Sequence, residues 1–171
     1  MKKTLLMTLI ALTSACSVFA QEQAALRITG PSSWARNTKV TLSIQDKYVN
    51  LGGSYGFSYW LMVNTTVAPF LAINGLRYFP PFNDGYNGPF PILFDQNGVD
   101  MVDLGATSPF HCVSDGSYHV TDMTFAIAAN APVGTYTLHI TTQNPRPSIQ
   151  TDCQFNDVAI SQISFVFNVV P

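Results

Sequence analysis

Charge is what this chain has least of. Only 11% of its 171 residues are Asp, Glu, Lys or Arg, against about 25% in an ordinary soluble domain. Apolar residues make up 47%, so the shortfall is not that of a disordered chain, which combines low hydrophobicity with high net charge. Lys and Arg together number eight, which excludes a basic nucleic-acid binder, and there are too few charged pairs for a coiled coil. Cysteine is scarce and never spaced Cys-x-x-Cys, and the three histidines show no metal-ligand spacing. No Gly-x-Ser-x-Gly elbow occurs, and no cofactor is expected. Past the first twenty residues no apolar run of about 20 follows, so no transmembrane segment is expected in the mature chain. What fills the polar positions is Ser, Thr, Asn and Gln, residues that suit strands and turns.

The first twenty residues read as an address. Met1-Lys2-Lys3 is a short positive start, Thr4 to Ala15 is apolar and uncharged, and Val18-Phe19-Ala20 places small residues at the −3 and −1 positions of a cleavage site. The expectation is a bacterial signal peptide over residues 1–20, cut after Ala20, with residues 21–171 as one secreted or periplasmic domain. A lipid anchor on Cys16 would want Leu three residues earlier. Thr13 stands there and Leu12 lies one place too far back, so lipidation is the lesser reading. Cys112 and Cys153 remain after cleavage. In an oxidising compartment they are expected to form a disulfide. It would close a loop of about 40 residues, worth roughly 3–4 kcal/mol in the chain-entropy model.

Hydrophobic alternation marks the strands. Leu26 and Ile28 alternate before Gly30-Pro31. From Lys39 to Gln45, Val40, Leu42 and Ile44 take one face and Lys39, Thr41, Ser43 and Gln45 the other. Phe57 to Asn64 is apolar on both faces and reads as a central strand. Phe90 to Phe94 and Val99 to Leu104 flank an Asn97-Gly98 turn. Met123, Phe125, Ile127 and Ala129 alternate, as do Tyr136, Leu138 and Ile140. A last strand runs from about Ala159 to Val169. Strands separated by turn signals, without helical periodicity, indicate an all-β, two-sheet antiparallel sandwich of about seven to nine strands.

Ala131-Pro132-Val133-Gly134-Thr135-Tyr136-Thr137-Leu138-His139-Ile140 resembles a recurrent stretch of exported bacterial immunoglobulin-like domains. There a Pro-x-Gly turn leads into a strand that opens with tyrosine. The resemblance implies an immunoglobulin-like sandwich. It also implies a tyrosine corner, in which the Tyr136 hydroxyl bonds back to the turn backbone. It supplies no function, because such sandwiches host many.

The segment 68–91 is dense in proline, glycine and aromatic residues and is expected to be an irregular insertion, since proline at this density prevents ladder pairing. Trp60, Phe70, Tyr78, Phe79, Phe82, Tyr86 and Phe90 are the expected ligand-binding residues. Aromatic side chains on a stiff loop present large area at low entropic cost. The competing reading folds the loop over Trp60 and Met62 as a satellite core. Asp95, Asn97, Asp100 and Asp103 offer hard oxygen donors that calcium would accept. Their order is not that of an EF-hand, and a hairpin turn explains Asn97-Gly98 more simply. Ser117, His119 and Asp122 tempt a triad reading. Strict alternation puts Ser117 and His119 on one strand face and Asp122 on the other, so no catalytic residues are assigned. The functional expectation is a secreted, non-catalytic binding module that contacts a protein or glycan through the aromatic loop. A structural or anchored subunit of an envelope assembly is the alternative, and a small hydrolase the least supported.

Overall fold

The computed structural model describes residues 23–49, 51–83, 99–107, 112–142, 148–161 and 163–171. Among them run eleven strands: β1 (Gln23–Thr29), β2 (Ser33–Ala35), β3 (Lys39–Val49), β4 (Ser54–Asn64), β5 (Leu71–Tyr78), β6 (Val99–Thr107), β7 (Gly116–Ile127), β8 (Gly134–Ile140), β9 (Ile149–Asp152), β10 (Asp157–Ala159) and β11 (Ile163–Val170). A 3-10 turn at Ala68–Phe70 precedes β5. No helix among the described residues is long and apolar enough to cross a membrane.

The strands form two sheets. The smaller has the order β1-β3-β7-β5; the larger runs β10-β9-β4-β8-β11-β2, with β6 also on β4. β6 takes one edge of β4 over 56–64, so β9 (at Ser54–Ser58) and β8 (at Leu61–Val63) share the other. They are two lengths of one row, rejoined where the Ser148 amide donates to the Thr141 carbonyl at 3.0 Å. β10 on β9 and β11 on β8 divide the next row in the same way. These divisions and the three-residue β2 take the strand count above the seven to nine expected.

Alternation placed β3, β8 and β11 correctly because each has one wet and one dry face. In β3, Val40, Leu42 and Ile44 are buried while Lys39, Thr41 and Gln45 are exposed. β4 is central, as its two apolar faces indicated. The middle of the core is Trp34, fully buried from the short β2. It stacks on Phe167 at 3.8 Å and Phe125 at 5.5 Å, with its indole N–H given to the Pro31 carbonyl at 2.8 Å. Leu71–Tyr78 corrects the sequence reading, for it is a strand paired with β7 rather than irregular loop. Its prolines lie outside the ladder: Pro69 sits in the 3-10 turn and Pro80 and Pro81 follow the strand.

Tyr136 forms the expected corner, its hydroxyl donating to the Pro132 carbonyl at 3.1 Å. Tyr118 repeats the device on the Ser114 carbonyl at 2.7 Å. In each case a glycine two residues before the tyrosine gives the ring room, and a Cβ on Gly116 or Gly134 would lie 3.0 or 3.1 Å from the hydroxyl. Tyr136→Phe removes one hydrogen bond and leaves the ring in place. The expected cost is about 1 kcal/mol, read as a fall in melting temperature of roughly 2–4 °C; an unchanged melting temperature would mean that the bond contributes nothing net.

Candidate functional site

Among the described residues, the aromatic side chains expected to bind a ligand do not gather on one exposed surface. Phe82 is fully buried and packs edge-on to Phe57 at 5.3 Å and Tyr48 at 6.4 Å. It therefore fills the main core rather than a partner's pocket or a satellite core. Trp60 is 6% exposed on the outward parity of β4, and so is covered as well. Phe70, Tyr78 and Phe79 are half-buried. Tyr86 and Phe90 lie outside the described residues, as do Asp95 and Asn97 of the suggested calcium set. Asp100 and Asp103 fall on β6, opposite Val63 and Trp60 of β4.

The outer faces of the two sheets differ in kind. On the larger sheet the outward positions of β4, β8 and β11 include Met62, Asn64, Thr135, Thr137, His139, Ser164, Val166 and Asn168, and none is an acid, lysine or arginine. Partial burial lowers the pKa of His139, so its imidazole is neutral at pH 7. Thr135 donates to Asn168 at 2.7 Å and ties β8 to β11. A shallow hollow of about 270 Å³ opens between Asn64 and the outer side of β8, lined by Thr135, Tyr136, Thr137 and His139. Val166, 54% exposed, pairs across the ladder with Thr137. Over β4, β8 and β11 the described side chains of this face are thus uncharged, the composition of an interface centre, where charge is depleted; the acids at outward register positions, Asp103 opposite Trp60 and Asp157 opposite Thr151, belong to the neighbouring β6 and β10.

The smaller sheet corrects the parity argument about Ser117, His119 and Asp122. Between β3 and β7 the register shifts at Ile44/Gln45, so that Ile44 faces Thr121 and Gln45 faces His119. Val120 is the extra residue of a β-bulge, and Val120 and Thr121 are both buried. A bulge resets alternation, which puts His119 and Asp122 on the same outer face. His119 Nε2 meets Asp122 Oδ1 at 2.7 Å. The hydroxyl at that carboxylate belongs to Ser43, which donates to the same Oδ1 at 2.6 Å. A nucleophilic serine needs the imidazole as its proton acceptor. Here Ser43 gives its proton to the carboxylate instead, so the cluster orients side chains and activates no nucleophile.

Inside the sandwich lies a polar cluster that the sequence reading missed. Asp46 is 1% exposed, and Tyr59 and Gln150 are fully buried beside it. Gln150 Nε2 donates to the Gly56 carbonyl at 2.8 Å, which fixes the amide so that Oε1 faces Tyr59. Tyr59 donates to that Oε1 at 2.6 Å. The same hydroxyl also donates to Asp46 Oδ2, and with a single proton it serves one of the two acceptors at a time. Burial pushes the Asp46 pKa up to about 7, against smaller lowering contacts from Tyr59 and Tyr48. Asp46 Oδ1 and the Tyr48 hydroxyl have no hydrogen-bond partner of good geometry among the described residues. The signal was in the sequence: extending the β3 alternation two residues past Ile44 turns Asp46 inward.

At the same end of the molecule Cys112 and Cys153 form the expected disulfide, with Cα atoms 5.6 Å apart. It joins the approach to β7 in one sheet to the turn after β9 in the other. Gly53 passes against it, its N–H donating to Asp115 at 3.1 Å. Asp152 caps the β9–β10 turn. Hydrogen bonds from the Asn156 side chain and backbone, then from the Gln154 amide, hold its carboxyl below the usual range.

No protein-family model matches the sequence, and no curated protein does. Solved structures share its architecture. The cohesin module of a family 33 glycoside hydrolase from Clostridium perfringens aligns with a TM-score of 0.65 at 10% identity, over 87% of this chain and 98% of that one. The fold is a cohesin-like sandwich. A type I cohesin–dockerin complex from Clostridium thermocellum contains a chain that aligns at 0.64 and 6% identity, over 86% of this chain and 99% of its own. A type I cohesin from Pseudobacteroides cellulosolvens aligns at 0.60 and 12% identity, over 86% and 92%. At these identities the likeness establishes the fold, and function has to be argued from the surfaces.

Proposed function

We propose that the protein is an exported, non-catalytic module that recognises a protein partner through the outer face of its larger sheet. The observation that carries this reading is the contrast between faces: the described side chains around Met62, Thr137, His139 and Val166 on β4, β8 and β11 are uncharged and partly apolar. Its cohesin-like fold supports the reading, since one similar structure is a complex of a cohesin with a dockerin. The arrangement around His119 supports it from the other side, because Ser43 is not activated there. The start resembling a signal peptide and the disulfide fit an extracytoplasmic location.

The test uses the mature chain immobilised against the secreted proteins of the producing cell. Thr137→Arg and Val166→Glu place charge at exposed positions of the face and are expected to leave the melting temperature within about 2 °C, as surface changes do. A partner retained by the wild type should be lost by both variants, because a desolvated unpaired charge at an interface is costly. Retention unaffected by either variant would overturn the assignment of this face.

A further inference from the structure

The cations of the chain are concentrated on the opposite side. Among the described residues, Arg27 of β1, Lys39 and Lys47 of β3 and Arg77 of β5 are all exposed on the outer face of the smaller sheet. Past residue 20 the sequence holds only two other cations, Arg36 and Arg146, against ten acids. The one described carboxylate on this face is Asp122, already engaged by Ser43 and His119. A chain with an excess of acids thus presents one face of the opposite sign.

That face also carries a stack of planar groups. The Phe79 ring stacks on the His119 imidazole at 4.1 Å with a 23° tilt, and the Arg77 guanidinium carbon sits 4.7 Å from the Phe79 centroid. The His119 side chain is 39% exposed. Hydroxyl and amide groups hold other outward positions, Ser43, Gln45, Ser117 and the pair Thr41 and Thr124 hydrogen-bonded at 2.8 Å, with the small Ala25, Ala72 and Ala126 between them. No large exposed apolar side chain of the described residues belongs to this face; those are Val133, Phe155 and Val166. Four strands span about 14 Å, and Lys39 to Lys47 runs roughly 27 Å along β3, a footprint suited to a polymer rather than a single small molecule.

We infer that the outer face of the smaller sheet binds an acidic polysaccharide. Carboxylates of the polymer would pair with Arg27, Lys47 and Arg77. The apolar C–H face of a sugar ring would lie on the planar stack at His119 and Phe79, and its hydroxyls would meet the Thr, Ser and Gln rows. An acidic protein is the less suitable occupant, because protein partners anchor on apolar pockets and this face offers none among its described residues. The inference does not depend on the protein-partner reading, which uses the other face.

The test is affinity electrophoresis of the mature protein with polygalacturonate, fully methyl-esterified polygalacturonate and poly-L-glutamate. Retardation is expected with polygalacturonate alone, weakening as salt rises. Phe79→Ala should weaken it about tenfold, and Arg27→Glu combined with Lys47→Glu should abolish it. The exposed Arg27 and Lys47 keep the test decisive if the half-buried Phe79 proves necessary for folding. Equal retardation by poly-L-glutamate, insensitive to Phe79, would make the face a general polyanion or acidic-protein surface and overturn the inference. Retardation by none of the three would overturn it as well. The Thr137→Arg and Val166→Glu variants should bind polygalacturonate as the wild type does, so loss of one reading leaves the other standing.

Discussion

Gly53→Ala is expected to lower the melting temperature by about 10 °C and to leave thiols that react with a thiol reagent. Gly53 has φ +105°, a conformation that side chains rarely adopt. A Cβ there would lie 2.6 Å from Cys112 Sγ, 2.6 Å from the Val113 carbonyl and 2.8 Å from Cys153 Sγ. Two of these atoms are the bonded sulfurs of one bridge and the third is a backbone carbonyl, so no flexible side-chain end can give way. The chain segment must retreat, and its retreat separates the cysteines or breaks the paired hydrogen bonds between Ser54 and Val113, at 2.7 and 2.8 Å. Losing a native bridge costs about 2–5 kcal/mol. A domain of this size moves about 2–4 °C per kcal/mol. Gly52 is the internal comparison. Its φ is +67° but a Cβ would meet nothing within 4 Å, so Gly52→Ala should cost only backbone strain, about 1 kcal/mol, with the bridge intact. Equal effects at the two glycines, with no free thiol at either, would show that contact with the bridge is not what holds Gly53 in place.

The legible parts of this fold were those where strand parity is unbroken. Lys39 to Gln45, Tyr136 to Ile140 and Ile163 to Val169 alternate without interruption, and burial follows them residue by residue. The tyrosine corner was legible because a short local motif, Pro132 to Tyr136, dictates it. Three physical circumstances hid the rest. The bulge at Val120 adds a residue without changing composition, and it moved Asp122 to the face where His119 lies. Proline density around residues 68–91 concealed β5, although Leu71–Tyr78 itself contains none. Burial of Phe82 and Trp60 depends on what packs over them from distant segments, which no local pattern reports. The face contrast was concealed for the same reason: Arg27, Lys47 and Arg77 are far apart in sequence, and only the order β1-β3-β7-β5 gathers them.

Raising the pH from 4 to 8 is expected to destabilise the protein by roughly 4 kcal/mol through Asp46 alone. The carboxyl moves from its ordinary value of 3.8 to about 7 on folding, and each unit is worth about 1.4 kcal/mol. The sign follows from which state holds the proton. Below 3.8 both states are neutral and the favourable contribution of the native site is complete. Between 3.8 and about 7 the unfolded chain has ionised while the native carboxyl keeps its proton, so stability falls as pH rises. Above about 7 both are ionised and the loss is finished. Asp152 acts in the opposite sense, its depressed pKa removing stability only as the solution becomes strongly acidic, so its contribution does not overlap the rise to neutrality. Asp46→Asn cannot ionise. Its melting temperature should stay level between pH 5 and 8 where that of the wild type drops by about 10 °C. A parallel fall in both proteins would place the titrating group elsewhere and would leave Asp46 as an ionised, stably accommodated side chain.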